Sequence, residues 1–202
     1  QWTANKYNIV YTLNNGTNAS GNPTEFTYSA STQTKTVNNP TRTGYTFAGW
    51  TVDGGTISGT TLTIAAGRTS DVTLTANWTA NKYTITYKDQ GDVAFSGTHA
   101  SGYPTSHTYG TETTLKSASK ANYTFVGWYT TSACTGISVT TLGATAYTSN
   151  ITLYAKWTED VSYLVNRSLL TSAMNLENID FHRITSIKFT KSISDIPSNP
   201  TT

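Results

Sequence analysis

The side chains in this sequence with which hydrolytic, metal or nucleophilic chemistry would have to begin are eleven carboxylates, three histidines and one cysteine. A glycosidase-type reaction needs two carboxylates converging on one bond, one protonated and one ionised. Glu25, Asp53, Asp71, Asp89, Asp92, Glu112, Glu159, Asp160, Glu177, Asp180 and Asp195 form no pair that recurs at matching places along the chain. His99, His107 and His182 lie at no short metal-ligand spacing, and His99 and His107 fall in a long loop without a repeated counterpart. Cys134 has no second cysteine to pair with and no repeated histidine to activate it, so it reads as a passive thiol. No glycine-rich loop sits between a strand and a helix, where a nucleotide phosphate would bind. The reading is a non-enzyme with no catalytic residues, no metal and no cofactor. An isopeptide cross-link from Lys6 or Lys82 is disfavoured as well, because no trio of lysine, asparagine and carboxylate repeats with either.

The remaining residues with binding potential are aromatic, with 13 tyrosines and 5 tryptophans. Aromatic faces stack on sugar rings, which makes a carbohydrate-binding module the alternative reading. Tyr28, Tyr103, Tyr109 and Tyr147, which stand outside the repeated blocks, are the candidate ligand contacts. Charged residues make up 12% of the sequence and the net charge is +2, too little for a nucleic-acid surface. No apolar run of spanning length occurs, so membrane insertion is not expected.

The elements that would position these side chains are set by internal repetition. Trp2-Thr3-Ala4-Asn5-Lys6-Tyr7 recurs letter for letter as Trp78-Thr79-Ala80-Asn81-Lys82-Tyr83. Gly44-Tyr45-Thr46-Phe47-Ala48-Gly49-Trp50 recurs as Asn122-Tyr123-Thr124-Phe125-Val126-Gly127-Trp128, and the run from Asp71 to Trp78 recurs from Asn150 to Trp157. Three blocks in one order define a tandem repeat. Tyr7, Ile9 and Tyr11 alternate with Asn8, Val10 and Thr12, and Tyr83, Ile85 and Tyr87 repeat that face, which is the period of a half-buried strand. A final strand places Leu74 and Trp78, or Leu153 and Trp157, on one face. The repeat core is therefore expected from these residues together with Tyr45, Phe47, Gly49, Trp50, Tyr123, Phe125, Gly127 and Trp128. Thr34 to Val37 and Thr113 to Lys116 read as shorter strands. Gly44 and Asn122 are the residue types that best tolerate a left-handed backbone, so a sharp turn is expected before each aromatic strand. Asp71 and Asn150 suit an Asx-turn onto their own backbone before the last strand.

The boundaries that follow are 1–2 for the remnant of a preceding module, 3–78 for module 1, 79–157 for module 2 and 158–202 for a different unit. Four residues separate Trp78 from Tyr83, too few for a long flexible tether. The expected fold is mainly β: two small antiparallel modules, β-grasp-like or compact sandwiches, with room for one short helix each. Leu170, Ala173 and Met174 at helical spacing, followed by alternating Ile187 and Phe189, predict a short α/β segment at the C-terminus, with a disordered end.

The opening Tyr-x-Ile-x-Tyr strand, the Gly-Tyr-Thr-Phe-x-Gly-Trp block at Gly44 to Trp50, its second copy ending in Trp128-Tyr129, and Ile-Thr-Leu-Tyr-Ala-Lys-Trp at Ile151 to Trp157 resemble the Listeria–Bacteroides repeat family, the B-repeat-like modules of internalin-type surface proteins. The resemblance implies a small twisted β module, exported and strung along a bacterial cell-surface protein as a spacer or stalk. It also implies an extracellular location and no catalytic residues. Module 1 departs from the pattern at Thr51, where Tyr129 stands in module 2, and at Asn77 in place of Lys156. A host or matrix protein, or a glycan, is the partner class to expect, and the chain is expected to be monomeric.

Overall fold

The computed structural model describes residues 3–160, so the expected remnant at 1–2 and the α/β segment and disordered end expected at the C-terminus lie outside the described residues. Module 1 is built from β1 (Lys6–Thr12), β2 (Glu25–Thr27), β3 (Gln33–Thr36), β4 (Tyr45–Asp53), β5 (Thr56–Ser58), β6 (Thr61–Ile64) and β7 (Val72–Ala80). Module 2 follows with β8 (Lys82–Asp89), β9 (Val93–Ala94), β10 (Thr98–His99), β11 (Ser106–Thr108), β12 (Thr113–Thr114), β13 (Ala118–Ser119), β14 (Tyr123–Tyr129), β15 (Thr141–Leu142) and β16 (Ile151–Glu159). The main sheet of module 1 has the order β2-β1-β7-β4, and β11-β8-β16-β14 is its counterpart in module 2. A smaller sheet, β3-β6-β5, covers the first, and the pairs β12-β15 and β10-β13 do the same work in the second.

The mainly β class is as expected, and two details differ. Among the described residues there is no helix. The stretch where one could fit is rich in Thr and Gly, which lose most in a helix interior, and it pairs as β3, β5 and β6 instead. The modules are also not wholly antiparallel. β1 runs parallel to β7, with Ile9 opposite Val72 and Tyr11 opposite Leu74, and β8 runs parallel to β16, with Ile85 opposite Ile151 and Tyr87 opposite Leu153. The first and last strands of a module are neighbours, so the rest of the module serves as the long crossover that parallel pairing requires.

Alternation carries Ile9, Leu74 and Ala76 to one face, where Leu62 and Ile64 of the smaller sheet and Val37, which follows β3, meet them together with Phe26 and Trp50. Leu62, Ile64, Val72 and Leu74 are fully buried. Each such side chain stabilises the fold by about 1.5–3 kcal/mol relative to exposure. Tyr7, Tyr11, Phe47 and Trp78 seal the margin of this core. In module 2 the equivalent core gathers Ile85, Trp128 and Leu153, with Tyr87, Phe125 and Trp157 at its margin.

The aromatic block works through a β-bulge. In the β4–β7 ladder Phe47 faces Trp78 and Gly49 faces Asn77, so Ala48 is the extra residue; the β14–β16 ladder shifts at the same place, between Phe125 and Gly127. In an unbroken strand residues three apart point to opposite faces. The bulge brings Phe47 and Trp50 back to one face, with ring centroids 5.2 Å apart, and Phe125 and Trp128 likewise at 5.1 Å. Gly49 and Gly127 take φ of 117° and 154°, which explains glycine at both.

Asp71 and Asn150 correct a further expectation. Neither closes a turn onto its own backbone in the way the sequence suggests. Asp71 Oδ1 accepts the backbone N–H of Asn8 at 2.7 Å and Asn150 Oδ1 accepts that of Thr84 at 3.0 Å. Each pins the start of the last strand to the first.

Candidate functional site

Ala80 ends β7 and Lys82 begins β8, so one residue, Asn81, joins the modules. Its backbone N–H donates to Gly44 O at 2.9 Å and its backbone carbonyl accepts from Tyr109 N at 2.9 Å. Its side chain accepts from Thr46 Oγ1 at 2.6 Å and donates to Tyr83 Oη at 3.4 Å. Two of these bonds reach into module 1 and two into module 2. A residue held on both sides in this way has little freedom to act as a hinge.

The surfaces that meet around Asn81 are complementary. Gly44, at φ 77°, is buried, and a Cβ there would lie only 2.2–2.3 Å from three carbons of the Tyr109 ring. Gly110, at φ 87°, receives the Tyr45 hydroxyl so closely that a Cβ would lie 2.7 Å from it. A Gly-Tyr pair thus interlocks with a Tyr-Gly pair. The two tyrosine rings cross at 81° with centroids 5.5 Å apart, the edge-to-face arrangement that adds about 0.5–1.5 kcal/mol beyond area burial. Arg42 lays its guanidinium 3.7 Å from the Tyr45 ring centroid. Beside this contact an open groove of about 530 Å³ is lined by Asn15, Thr17, Thr41, Arg42, Thr43 and Thr145 along with the two tyrosines. The groove offers hydroxyls, an amide and one cation, and no carboxylate or thiol lines it.

The sequence-predicted residues divide accordingly. Tyr7, Ile9, Tyr11, Phe47, Trp50, Leu74 and Trp78, and in module 2 Ile85, Tyr87, Phe125, Trp128, Leu153 and Trp157, lie in or against the two cores, while Tyr45, Tyr83 and Tyr123 stand outside both clusters. Of the proposed ligand contacts, Tyr147 packs against the module 2 core and Tyr109 sits at the junction. Tyr28 and Tyr103 are exposed, and Tyr103 stacks on His99 at 3.9 Å. The four form no common surface feature that the structure brings together. Asn81, Gly110 and Arg42 were missed by sequence reasoning; the exact repetition of Thr-Ala-Asn-Lys around a one-residue link was the available signal.

The groups with chemical potential are occupied structurally. His107 lies in β11 opposite Tyr83, the place Phe26 holds opposite Tyr7, so it does have a repeated counterpart. Its Nδ1 is 2.9 Å from Thr113 Oγ1. His99 lies in β10 between the rings of Phe95 and Tyr103, and desolvation there lowers its pKa. Buried Asp89 accepts Trp157 Nε1 at 2.8 Å and both the N–H and the hydroxyl of Ser96. Cys134 is buried, and desolvation pushes its thiol upward, away from the reactive thiolate. Lys6 pairs with Glu25 at the surface. Among the described residues no three of His, Cys, Asp and Glu gather as a metal site would require.

Comparison with known proteins places the repeat in context. The sequence model of the Listeria-Bacteroides repeat domain matches twice, over residues 7–77 and 83–156, more than half of the chain. A putative membrane protein of Evansella cellulosilytica is 27% identical over 98% of this chain, and the chain spans 30% of that protein's length. Domains 3–4 of a cell surface protein, from a set described as Streptococcal High Identity Repeats in Tandem, overlay 75% of this chain and 96% of their own at 16% identity and a TM-score of 0.25.

Proposed function

Since the chain belongs to the Listeria-Bacteroides repeat domain family, we propose that its two modules are a non-catalytic spacer within an exported cell-surface protein, holding whatever flanks them at a fixed distance and orientation. The observation that carries this reading is Asn81. A tether would leave the link solvated and free, whereas here a single residue is bonded to both modules and flanked by strands on each side. Each module thereby inherits the direction of its neighbour's last strand. The composition of the junction groove, polar and without acid–base pairs, supports a structural role over a catalytic one.

Adhesion to a host or matrix protein through a free sheet edge is a weaker part of the same reading. The edges of the module 1 main sheet are β2, three residues long, and β4, which is bulged at Ala48. Short and bulged edges are devices that discourage strand addition.

Small-angle scattering tests the spacer. The natural chain is expected to give one narrow distance distribution, and a chain with a Gly-Ser linker of about eight residues inserted after Asn81 a broad one. Two indistinguishable distributions would mean that the link is already flexible and the spacer reading fails. Immobilised chain probed with serum and matrix proteins tests adhesion separately.

A further inference from the structure

The groove beside Asn81 contains a cation whose hydrogen-bond donors are unused. Arg42 and Arg68 are the two arginines among the described residues. Arg68 donates from Nε to Ser70 O at 3.0 Å and from Nη2 to Asp71 O at 2.6 Å. Lys6 and Lys88 are paired with Glu25 and Asp92. Arg42 is half-buried and has neither kind of partner among the described residues; it is held by the Tyr45 ring, whose centroid lies 3.7 Å from its Cζ. A guanidinium held over a ring keeps its in-plane N–H donors for a planar acceptor, and a carboxylate can take two of them at once. Hydroxyls surround it on both sides of the joint. Thr17 and Thr41 exchange backbone hydrogen bonds at 2.7 and 3.0 Å, which sets two threonines side by side on the module 1 wall, and Thr145 faces them from module 2. All three are exposed.

We propose that this groove binds a carboxylate-bearing sugar, a uronate unit of an acidic polysaccharide, with the Arg42 guanidinium donating to the carboxylate and the threonine hydroxyls of both modules meeting the hydroxyls of the sugar ring. The ligand is an anion because no carboxylate lines the groove to answer Arg42, and a charge-assisted pair is the strongest bond those donors can make. It is a sugar and not an acidic peptide because the side chains around the cation are hydroxyls and an amide, each able to donate and accept as a pyranose does, while the two tyrosine rings are the only apolar lining and leave no recess for a peptide side chain. At about 530 Å³ the groove has the volume of a ligand site, and its open side lets a unit within a longer polymer lie across it. The site belongs to the joint, since Arg42 stands in module 1 and Thr145 in module 2. It goes beyond the spacer reading, because a spacer needs no ligand.

Isothermal titration calorimetry of the natural chain with tetragalacturonate at low salt tests the site, with the fully methyl-esterified tetrasaccharide as the neutral control and tetraglutamate as the peptide control. Saturable binding of the acidic sugar is expected, with neither control binding comparably. Two variants locate it. Arg42→Lys keeps the charge and removes the planar fork, and Lys120, 4.3 Å over the Tyr123 ring, shows that a lysine fits the equivalent place. Its affinity is expected to fall about tenfold. Thr145→Ala, on the module 2 wall, is expected to weaken binding about threefold, the loss of one neutral hydrogen bond. Absence of saturable binding, equal affinity for either control, or unchanged affinity in either variant would overturn the proposal. Binding that depends on Arg42 and Thr145 in a chain whose scattering is broad would uphold the site while removing the spacer reading.

Discussion

His107 takes in module 2 the place that Phe26 takes in module 1. Phe26 faces Tyr7 and His107 faces Tyr83 across equivalent antiparallel pairs, and both side chains are almost wholly buried, at 2% and 0% exposure. The replacement keeps a flat ring but leaves His107 Nε2 without a hydrogen-bond partner. An unmet buried polar atom costs about 1–3 kcal/mol. His107→Phe is therefore expected to stabilise module 2 by about 1 kcal/mol once the lost bond to Thr113 is counted. Urea unfolding followed by tryptophan fluorescence measures this, and a destabilised variant would mean that the Thr113 bond outweighs the unmet nitrogen.

His99 predicts a pH dependence. Burial among Phe95, Tyr103 and Trp128 holds its imidazole below the ordinary value of 6.5. The unfolded chain then takes up the proton at a higher pH than the folded chain does. This contribution is constant above the ordinary range, and stability falls as the pH drops through it, until the folded imidazole itself titrates. His99→Phe keeps the ring stack and removes the proton. Its stability is expected to fall less than that of the natural chain between about pH 6.5 and 5, as measured by thermal unfolding at each pH. Parallel profiles would show that His99 is not the group responsible.

The two bulge glycines separate strain from crowding. Both lie at positive φ, but a Cβ at Gly49 would meet nothing within 4 Å, whereas one at Gly127 would lie 2.7 Å from Ser138 Cβ. Gly49→Ala is expected to cost about 1–2 kcal/mol of backbone strain and Gly127→Ala clearly more. Denaturant midpoints compare them, and equal costs would mean that the Ser138 segment yields freely.

Repetition made the cores legible, because burial demands the same apolar residues at the same places each time. Ile9 and Ile85, Trp50 and Trp128, and Leu74 and Leu153 followed from alternation and recurrence alone. The same logic could not separate Tyr45 from its block: a tyrosine that recurs to serve a joint looks like one that recurs to serve a core. The parallel pairing of β1 and β7 was hidden because periodicity carries no direction. Phe47 and Trp50 sharing a face contradicts simple alternation, and Gly49 becomes readable as a bulge only once the ladder is seen. Asp71 and Asn150 reach across to another strand, a partner that no local pattern specifies.

The parallel pairing at the centre of each module also settles how a pulling force would travel. A chain drawn taut from both ends loads β1 at its start and β7 at its end, and in parallel neighbours those points lie at opposite ends of the shared ladder. The bonds from Ile9–Val72 to Thr12–Thr75 are then strained together in shear and cannot be peeled apart one at a time. Rupture under tension is governed by the unfolding barrier, so the same strand order that closes the core makes each module a mechanical clamp.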